Sequence, residues 1–120
     1  MNAKLLADRL LDFAARVGKV VDALPKRRLA NHAANQLVRC GTAPGSHYEE
    51  ACGAESRSDF VHKLRLALKE LLESNYWLLL IVRSELLSPT KLTKIIDECQ
   101  QLCSIIGKSI ATASQNRQRR

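Results

Sequence analysis

Apolar residues recur at helical spacing along the whole chain. In the first segment Leu6, Leu10, Phe13, Val17, Val20 and Leu24 step by four and three alternately, a heptad-like seam that faces a neighbouring helix. Pro25 stops this helix, because proline has no N–H to continue the ladder. The second helix begins around Lys26 to Leu29 and carries Ala30, Ala34, Leu37, Gly41, Pro44, Tyr48 and Ala51 in the same rhythm. Its seam is built of small residues, and Gly41 and Gly45 lie four apart, so a neighbouring backbone is expected to approach closely. Pro44 conflicts with that pattern, since a proline inside a helix costs about 3 kcal/mol. Either the helix breaks between Gly41 and Gly45 or it continues with a kink. The period resumes in phase beyond Pro44, which favours a kinked continuation to about Cys52.

Ser56-Arg57-Ser58-Asp59 reads as a capping box with Ser56 at the N-cap of a third helix. Its seam is Val61, Leu64, Leu68, Leu71, Asn75, Leu78 and Val82, ending near Leu86. From Tyr76 to Val82 this helix is apolar nearly all round, so more than one neighbour must cover it. Asn75 interrupts the seam, and a buried Asn there fixes register or oligomer state. Ser88-Pro89 opens a fourth helix, with Ser at the cap and Pro in the first turn. Leu92, Ile96, Cys99, Cys103, Ile106, Ile110 and Ala113 form its seam; beyond Ala113 no apolar residue remains and the chain should fray. Short connections imply antiparallel neighbours. The expectation is one all-α domain over residues 1–113, an up-down-up-down antiparallel four-helix bundle that oligomerises, with a basic flexible tail over 114–120.

Composition narrows the function. Aromatic residues are only 4% of the 120, so the core must use Leu, Ile, Val and Ala, which suits packed helices. The apolar run Tyr76 to Val82 is far shorter than the roughly 20 residues that cross a bilayer. Charges at Lys4, Asp8 and Arg9 interrupt the stretch that a signal peptide needs. A soluble cytoplasmic protein with no membrane partner is expected. The cysteines Cys40, Cys52, Cys99 and Cys103 contain no C-x-x-C pair and read as small buried hydrophobes, without disulfides or zinc. Asp59-x-x-His62 and the reversed His47-x-x-Glu50 approach a bundle metal motif. The seams of the first and fourth helices carry no acid to complete a ligand shell, so no metal site is expected. Glu49 and Glu50 have no pocket evident, and no nucleophile elbow, phosphate loop or zinc-protease helix is present. The reading is therefore non-catalytic and without a cofactor.

Charge points to a partner. The chain has a formal charge of +7 and a pI near 9.6, which attracts polyanions. Between Pro25 and Tyr48 stand Lys26, Arg27, Arg28 and Arg39 with no acid, and the tail adds Arg117, Arg119 and Arg120. Glu49, Glu50, Glu55 and Asp59 form an acidic patch relieved by Arg57. The two basic clusters are the candidate phosphate contacts. Lys26, Arg27 and Arg28 begin the second helix, where the dipole and free N–H groups favour anions. Arg39 lies three turns on, and its face depends on the Pro44 region. The plainer alternative is a solvated helix end and a frayed tail.

Two blocks carry a family resemblance. Arg39-Cys-Gly-Thr-Ala-Pro-Gly45-Ser-His-Tyr-Glu-Glu50-Ala resembles the helix-two signature R-S-A-T-S-I-G-A-N-x-x-E-A of the bacterial family named for the 23S rRNA intervening-sequence protein. Ser56-Arg-Ser-Asp59-Phe60-Val-His-Lys63-Leu-Arg-Leu-Ala67-Leu68-Lys69-Glu70 with Tyr76-Trp77-Leu78 resembles that family's helix-three block, S-K-x-D-F-x-x-K-x-x-I-A-L-K-E with a later Y-W-L. Pro44 stands where the signature has an aliphatic residue and His47 where it has Asn. The resemblance implies a four-helix bundle assembling as a ring-like homopentamer, in an rRNA context or as the accessory subunit of a diversity-generating reverse transcriptase. Together with the basic clusters it implies a binding module for RNA or DNA. A protein-only interaction scaffold is the alternative.

Overall fold

The computed structural model describes residues 1–118, with side chains through Gln115. It holds α1 (Ala3–Ala23), α2 (Arg28–Cys52), α3 (Arg57–Arg83) and α4 (Pro89–Gln118), and no strand among the described residues. Local chemistry sets most of the ends. Asn2 caps α1, its Oδ1 accepting from the Leu5 N–H at 2.8 Å. Ser56 caps α3, its Oγ accepting from the Asp59 N–H at 3.0 Å, as the capping box requires. α4 starts at Pro89, where a missing N–H does no harm.

The end of α3 departs from the usual residue choice. The Leu86 N–H reaches the Ile81 carbonyl at 3.0 Å and the Glu85 N–H reaches Val82 at 3.0 Å. This is a Schellman motif, which leaves its C′ residue in the left-handed region. That residue is Glu85, at φ 57°, where glycine is the common occupant. Leu86 and Ile81 are both buried and supply the apolar contact that accompanies the motif.

α2 runs unbroken through Pro44 to Cys52. Pro44 is fully buried, so the packing of its ring offsets part of the lost bond to Cys40. Gly41 explains how this helix approaches α1. A Cβ built there would lie 2.7 and 2.8 Å from the two Cγ atoms of Val17. Gly45 is less crowded: its Cβ would rest 3.6 Å from that of Leu10, an ordinary contact.

α1 packs on α2, α2 on α3, α3 on α4, and α4 back on α1, while no Cα atoms of the diagonal pairs come within 8 Å of each other. The bundle measures 52 × 21 × 21 Å. Leu6, Leu10, Phe13 and Val17 enter the core as expected, as do Leu64, Leu71, Leu78, Leu92, Cys99 and Ile106. At six positions the core takes the residue one place earlier than the seam suggested. Ala33, Ala67, Ser74, Ile81, Ile95 and Leu102 are buried, and Ala34, Leu68, Asn75, Val82, Ile96 and Cys103 are only half-buried. Small Ala67 and Ser74 let α2 and α3 close up, so size overrides hydrophobicity at those two sites. The buried-Asn reading of Asn75 fails. Asn75 accepts from Gln100 Nε2 near the surface at 3.4 Å, and Ser74 is the buried polar residue. The Ser74 hydroxyl bonds to the Glu70 carbonyl at 2.8 Å and lies 3.3 Å from Cys40 Sγ. α4 is helical to Gln118, beyond the last seam residue Ala113, and the rest of the tail expected over 114–120 lies outside the described residues.

Candidate nucleic-acid interface

Lys26 and Arg27 lie in the α1–α2 turn and Arg28 is the first residue of α2; all three are exposed. Arg27 occupies the N-cap without making a side-chain capping bond, and the first turn holds no acid. This end of α2 therefore presents cationic side chains together with the positive pole of the helix.

The tertiary structure enlarges the cluster. His32, near the start of α2, packs edge to face on Trp77, near the end of α3, with ring centroids 5.4 Å apart. The α1–α2 turn and the α3–α4 turn are thereby neighbours. Arg83 closes α3, while Lys91 and Lys94 open α4, and all three are exposed. Asp22 in the last turn of α1, Glu85 in the α3–α4 turn and Asp97 one turn beyond Lys94 are exposed acids near them in the chain. Among the described residues none of these six cations takes part in an ion pair. Sequence reasoning missed Arg83, Lys91 and Lys94 because they lie far from Lys26 in the chain. The available signal was the pair of lysines within the first two turns of α4.

Arg39 is not brought to this end. Eleven residues into α2, it is about 16 Å along the axis from Arg28. Its Nη1 lies 3.2 Å from Glu70 Oε2, and its Nη2 bonds to Gln36 Oε1 at 3.0 Å and to Glu73. Glu73 also accepts from Trp77 Nε1 at 3.1 Å. Arg39 therefore spends its charge across the α2–α3 contact. A second such tie joins α1 to α4: Arg9 engages Glu98 through Nε at 3.0 Å and Nη2 at 2.6 Å. Arg117 belongs to the last turns of α4, and Arg119 and Arg120 lie outside the described residues.

The thiols divide by position. Cys40 and Cys99 are buried, Cys103 is half-buried and Cys52 is exposed, so the uniform buried-hydrophobe reading fails for Cys52. Cys99 Sγ donates to the Leu71 carbonyl at 3.3 Å. Its hydrogen bond with Cys103, and then burial, hold the Cys99 thiol far above its ordinary range, while the same bond lowers Cys103. Burial raises Cys40, and burial with a Cys52 hydrogen bond pushes Tyr48 up to about 12. Among the described residues no group of three His, Cys, Asp or Glu is placed to hold a metal ion. His47 Nδ1 and Glu50 Oε1 are 3.4 Å apart, without hydrogen-bond alignment. No described helix is long and apolar enough to cross a membrane.

Comparison with known proteins places this geometry. The family described as 23S rRNA-intervening sequence protein matches residues 6–108. The chain belongs to that family. The matched span contains Lys26, Arg27, Arg28, Arg39, Arg83, Lys91 and Lys94 and leaves Arg117, Arg119 and Arg120 outside. A solved structure from Bacteroides thetaiotaomicron VPI-5482, described as a protein with unknown function from the S23 ribosomal protein family, is similar at 31% identity and a TM-score of 0.82. The alignment covers 88% of this chain and 97% of that one. No curated protein matches the chain.

Proposed function

We propose that this family member is a non-catalytic, self-associating scaffold that holds RNA or DNA by phosphate contacts at the basic end of its bundle. The observation that carries the reading is the unpaired set Lys26, Arg27, Arg28, Arg83, Lys91 and Lys94 beside the N-termini of α2 and α4. Such a set attracts polyanions by charge and offers no base-specific groove reader, so sequence preference is weak. An up-down-up-down antiparallel course of the helices belongs to this reading. It is supported by pairings that rise on one helix and fall on the next, Leu10 with Gly45 and Val17 with Gly41, then Cys40 with Ser74 and Glu50 with Lys63. The homopentamer, and service to a reverse transcriptase or in an rRNA context, follow from the family resemblance and belong to the same reading. The exposed Leu72, Tyr76 and Leu79 favour a second one, in which the scaffold binds only protein.

A salt titration separates them. Wild type is expected to bind arbitrary single-stranded RNA or duplex DNA at low salt. Changing Lys26, Arg27 and Arg28 to Ala, or Arg83, Lys91 and Lys94 to Ala, should flatten log affinity against log salt by about 0.7 to 0.9 per lost phosphate contact. A wild type that binds neither polymer leaves the protein-only scaffold standing. Unchanged slopes in both variants remove the basic end from the role.

A further inference from the structure

A ledge of aromatic rings adjoins the basic end. The chain has one Trp, two Tyr and two Phe. Phe13 and Tyr48 are buried and Phe60 and Trp77 half-buried, whereas Tyr76 is 59% exposed. The Tyr76 ring meets Trp77 edge to face, with centroids 5.2 Å apart and planes at 83°. Trp77 meets the exposed His32 in the same manner, at 79°, so the row Tyr76, Trp77, His32 bridges α3 and α2. The indole is fixed at its Nε1, which donates to Glu73, and Glu73 is itself paired with Arg39. An edge-to-face contact covers at most one face of a ring, so Tyr76 keeps at least one face clear of Trp77. Arg28 precedes His32 by one turn, about 6 Å along α2, and Arg83 follows Tyr76 by two turns, about 10 Å along α3. Residues four or seven apart share a helix face, so each arginine stands in line with its aromatic neighbour on the side toward the basic end.

We infer that this end of the bundle selects single-stranded nucleic acid, an unpaired base stacking on Tyr76 while Arg28 and Arg83 hold phosphates of the same strand. This rests on the proposed function and adds the form of polymer that the basic end prefers. Charge alone makes no such choice, because duplex and single strand both present a phosphate backbone. A ring face does make it. The bases of a duplex are stacked on one another and closed to a surface side chain, whereas an unpaired base offers its own face. Tyr is suited to the contact, since it presents a large flat surface and has few torsions to freeze. Its neighbour Trp77, held through Glu73, limits how far the ring can swing. Leu72 and Leu79 are exposed on the adjoining turns but have no π-face, so Tyr76 alone carries the stacking. Every base has such a face, which keeps the sequence preference weak.

Binding to three probes over a range of salt tests the stacking: an oligothymidylate strand, an abasic phosphodiester strand of the same length and charge, and a duplex. Wild type should bind oligothymidylate about tenfold more tightly than the abasic strand at every salt concentration. The two plots of log affinity against log salt should run parallel, because stacking releases no counterions. Tyr76→Ala, compared at unchanged helicity and assembly, should lose that factor and keep the wild-type affinity for the abasic strand and the duplex. Tyr76→Phe retains the ring and should retain the factor. A wild type that binds both strands equally, with an ordinary salt slope, overturns the stacking and leaves the phosphate contacts standing. A preference for oligothymidylate that persists in Tyr76→Ala overturns the assignment to Tyr76. A wild type that binds none of the three at low salt overturns this inference and the nucleic-acid reading together.

Discussion

Replacing Gly41 by Ala tests the central packing contact of the bundle. In an open helix this change stabilises by about 1 kcal/mol, because Ala is the better helix former. Here the added methyl would lie 2.7 and 2.8 Å from the Cγ atoms of Val17 and 3.2 Å from its Cβ. Val17 is fully buried, and its β-branched side chain has one strongly preferred helical rotamer, so it cannot swing aside. The backbones of α1 and α2 must separate instead, and overpacking of this kind costs about 1–3 kcal/mol. The clash outweighs the propensity gain, giving a net loss of about 1 kcal/mol and a Tm lower by about 4 °C for a domain of this size. Gly18 is the internal control. No atom lies within 4 Å of a Cβ built there, so Gly18→Ala should stabilise by about 1 kcal/mol. The assay is urea unfolding followed by the fluorescence of the single tryptophan, Trp77, at one fixed protein concentration, since self-association couples to stability. Val17→Ala removes both clashing Cγ atoms, and in that background Gly41→Ala should turn stabilising. The coupling between the two changes should be about 2 kcal/mol. A Gly41→Ala protein as stabilised as Gly18→Ala, or a coupling near zero, would refute the close approach of α1 and α2.

Three further outcomes follow from particular contacts. Glu85→Gly relieves the left-handed φ of 57° at the end of α3 and should raise stability by about 0.5–1 kcal/mol, read as a higher urea midpoint; a lower one would contradict the strain. Arg39→Ala leaves Glu70 and Glu73 facing one another without their cation. It should cost about 1 kcal/mol of stability while nucleic-acid affinity and its salt slope stay unchanged; a flattened slope would return Arg39 to the phosphate contacts. The pH dependence has a definite sign, because Cys99, Cys40 and Tyr48 have raised pKa values in the fold. The contribution of the two thiols is complete below their unfolded value of about 8.5, and that of Tyr48 below about 10; each is lost as pH rises toward the folded value, at up to about 1.4 kcal/mol per pH unit for each group ionised only in the unfolded chain. Cys103, lowered by its bond with Cys99, offsets part of this. The urea midpoint in reducing buffer should therefore fall from pH 8 to pH 10, and less steeply in Cys40→Ala, whose thiol is raised chiefly by burial; identical slopes would refute the account.

The sequence carried the number of helices and most of their ends, because those depend on near neighbours. Pro25 and Pro89, the Ser56 cap and the 3–4 spacing of apolar residues act within a turn or two. The continuity of α2 through Pro44 was legible in the same way, from a period that resumes in phase. The sequence also determined the family, through blocks that lie on α2 and α3. Which of two adjacent residues lies deepest did not follow from spacing. Leu68 is more hydrophobic than Ala67, and Val82 is as apolar as Ile81, yet Ala67 and Ile81 are the fully buried ones, because the neighbouring helix determines where the stripe is narrowest. Arg39 illustrates the same limit for function. In the chain it stands in an acid-free run with Lys26, Arg27 and Arg28, and only the packing of α3 brings Glu70 and Glu73 to neutralise it. Conversely, Arg83, Lys91 and Lys94 join the basic end because His32 rests on Trp77. Local spacing sets the elements, whereas a charged site is a sum over everything within a Debye length of about 8 Å, and the chain enters that sphere from segments that only the tertiary structure brings together.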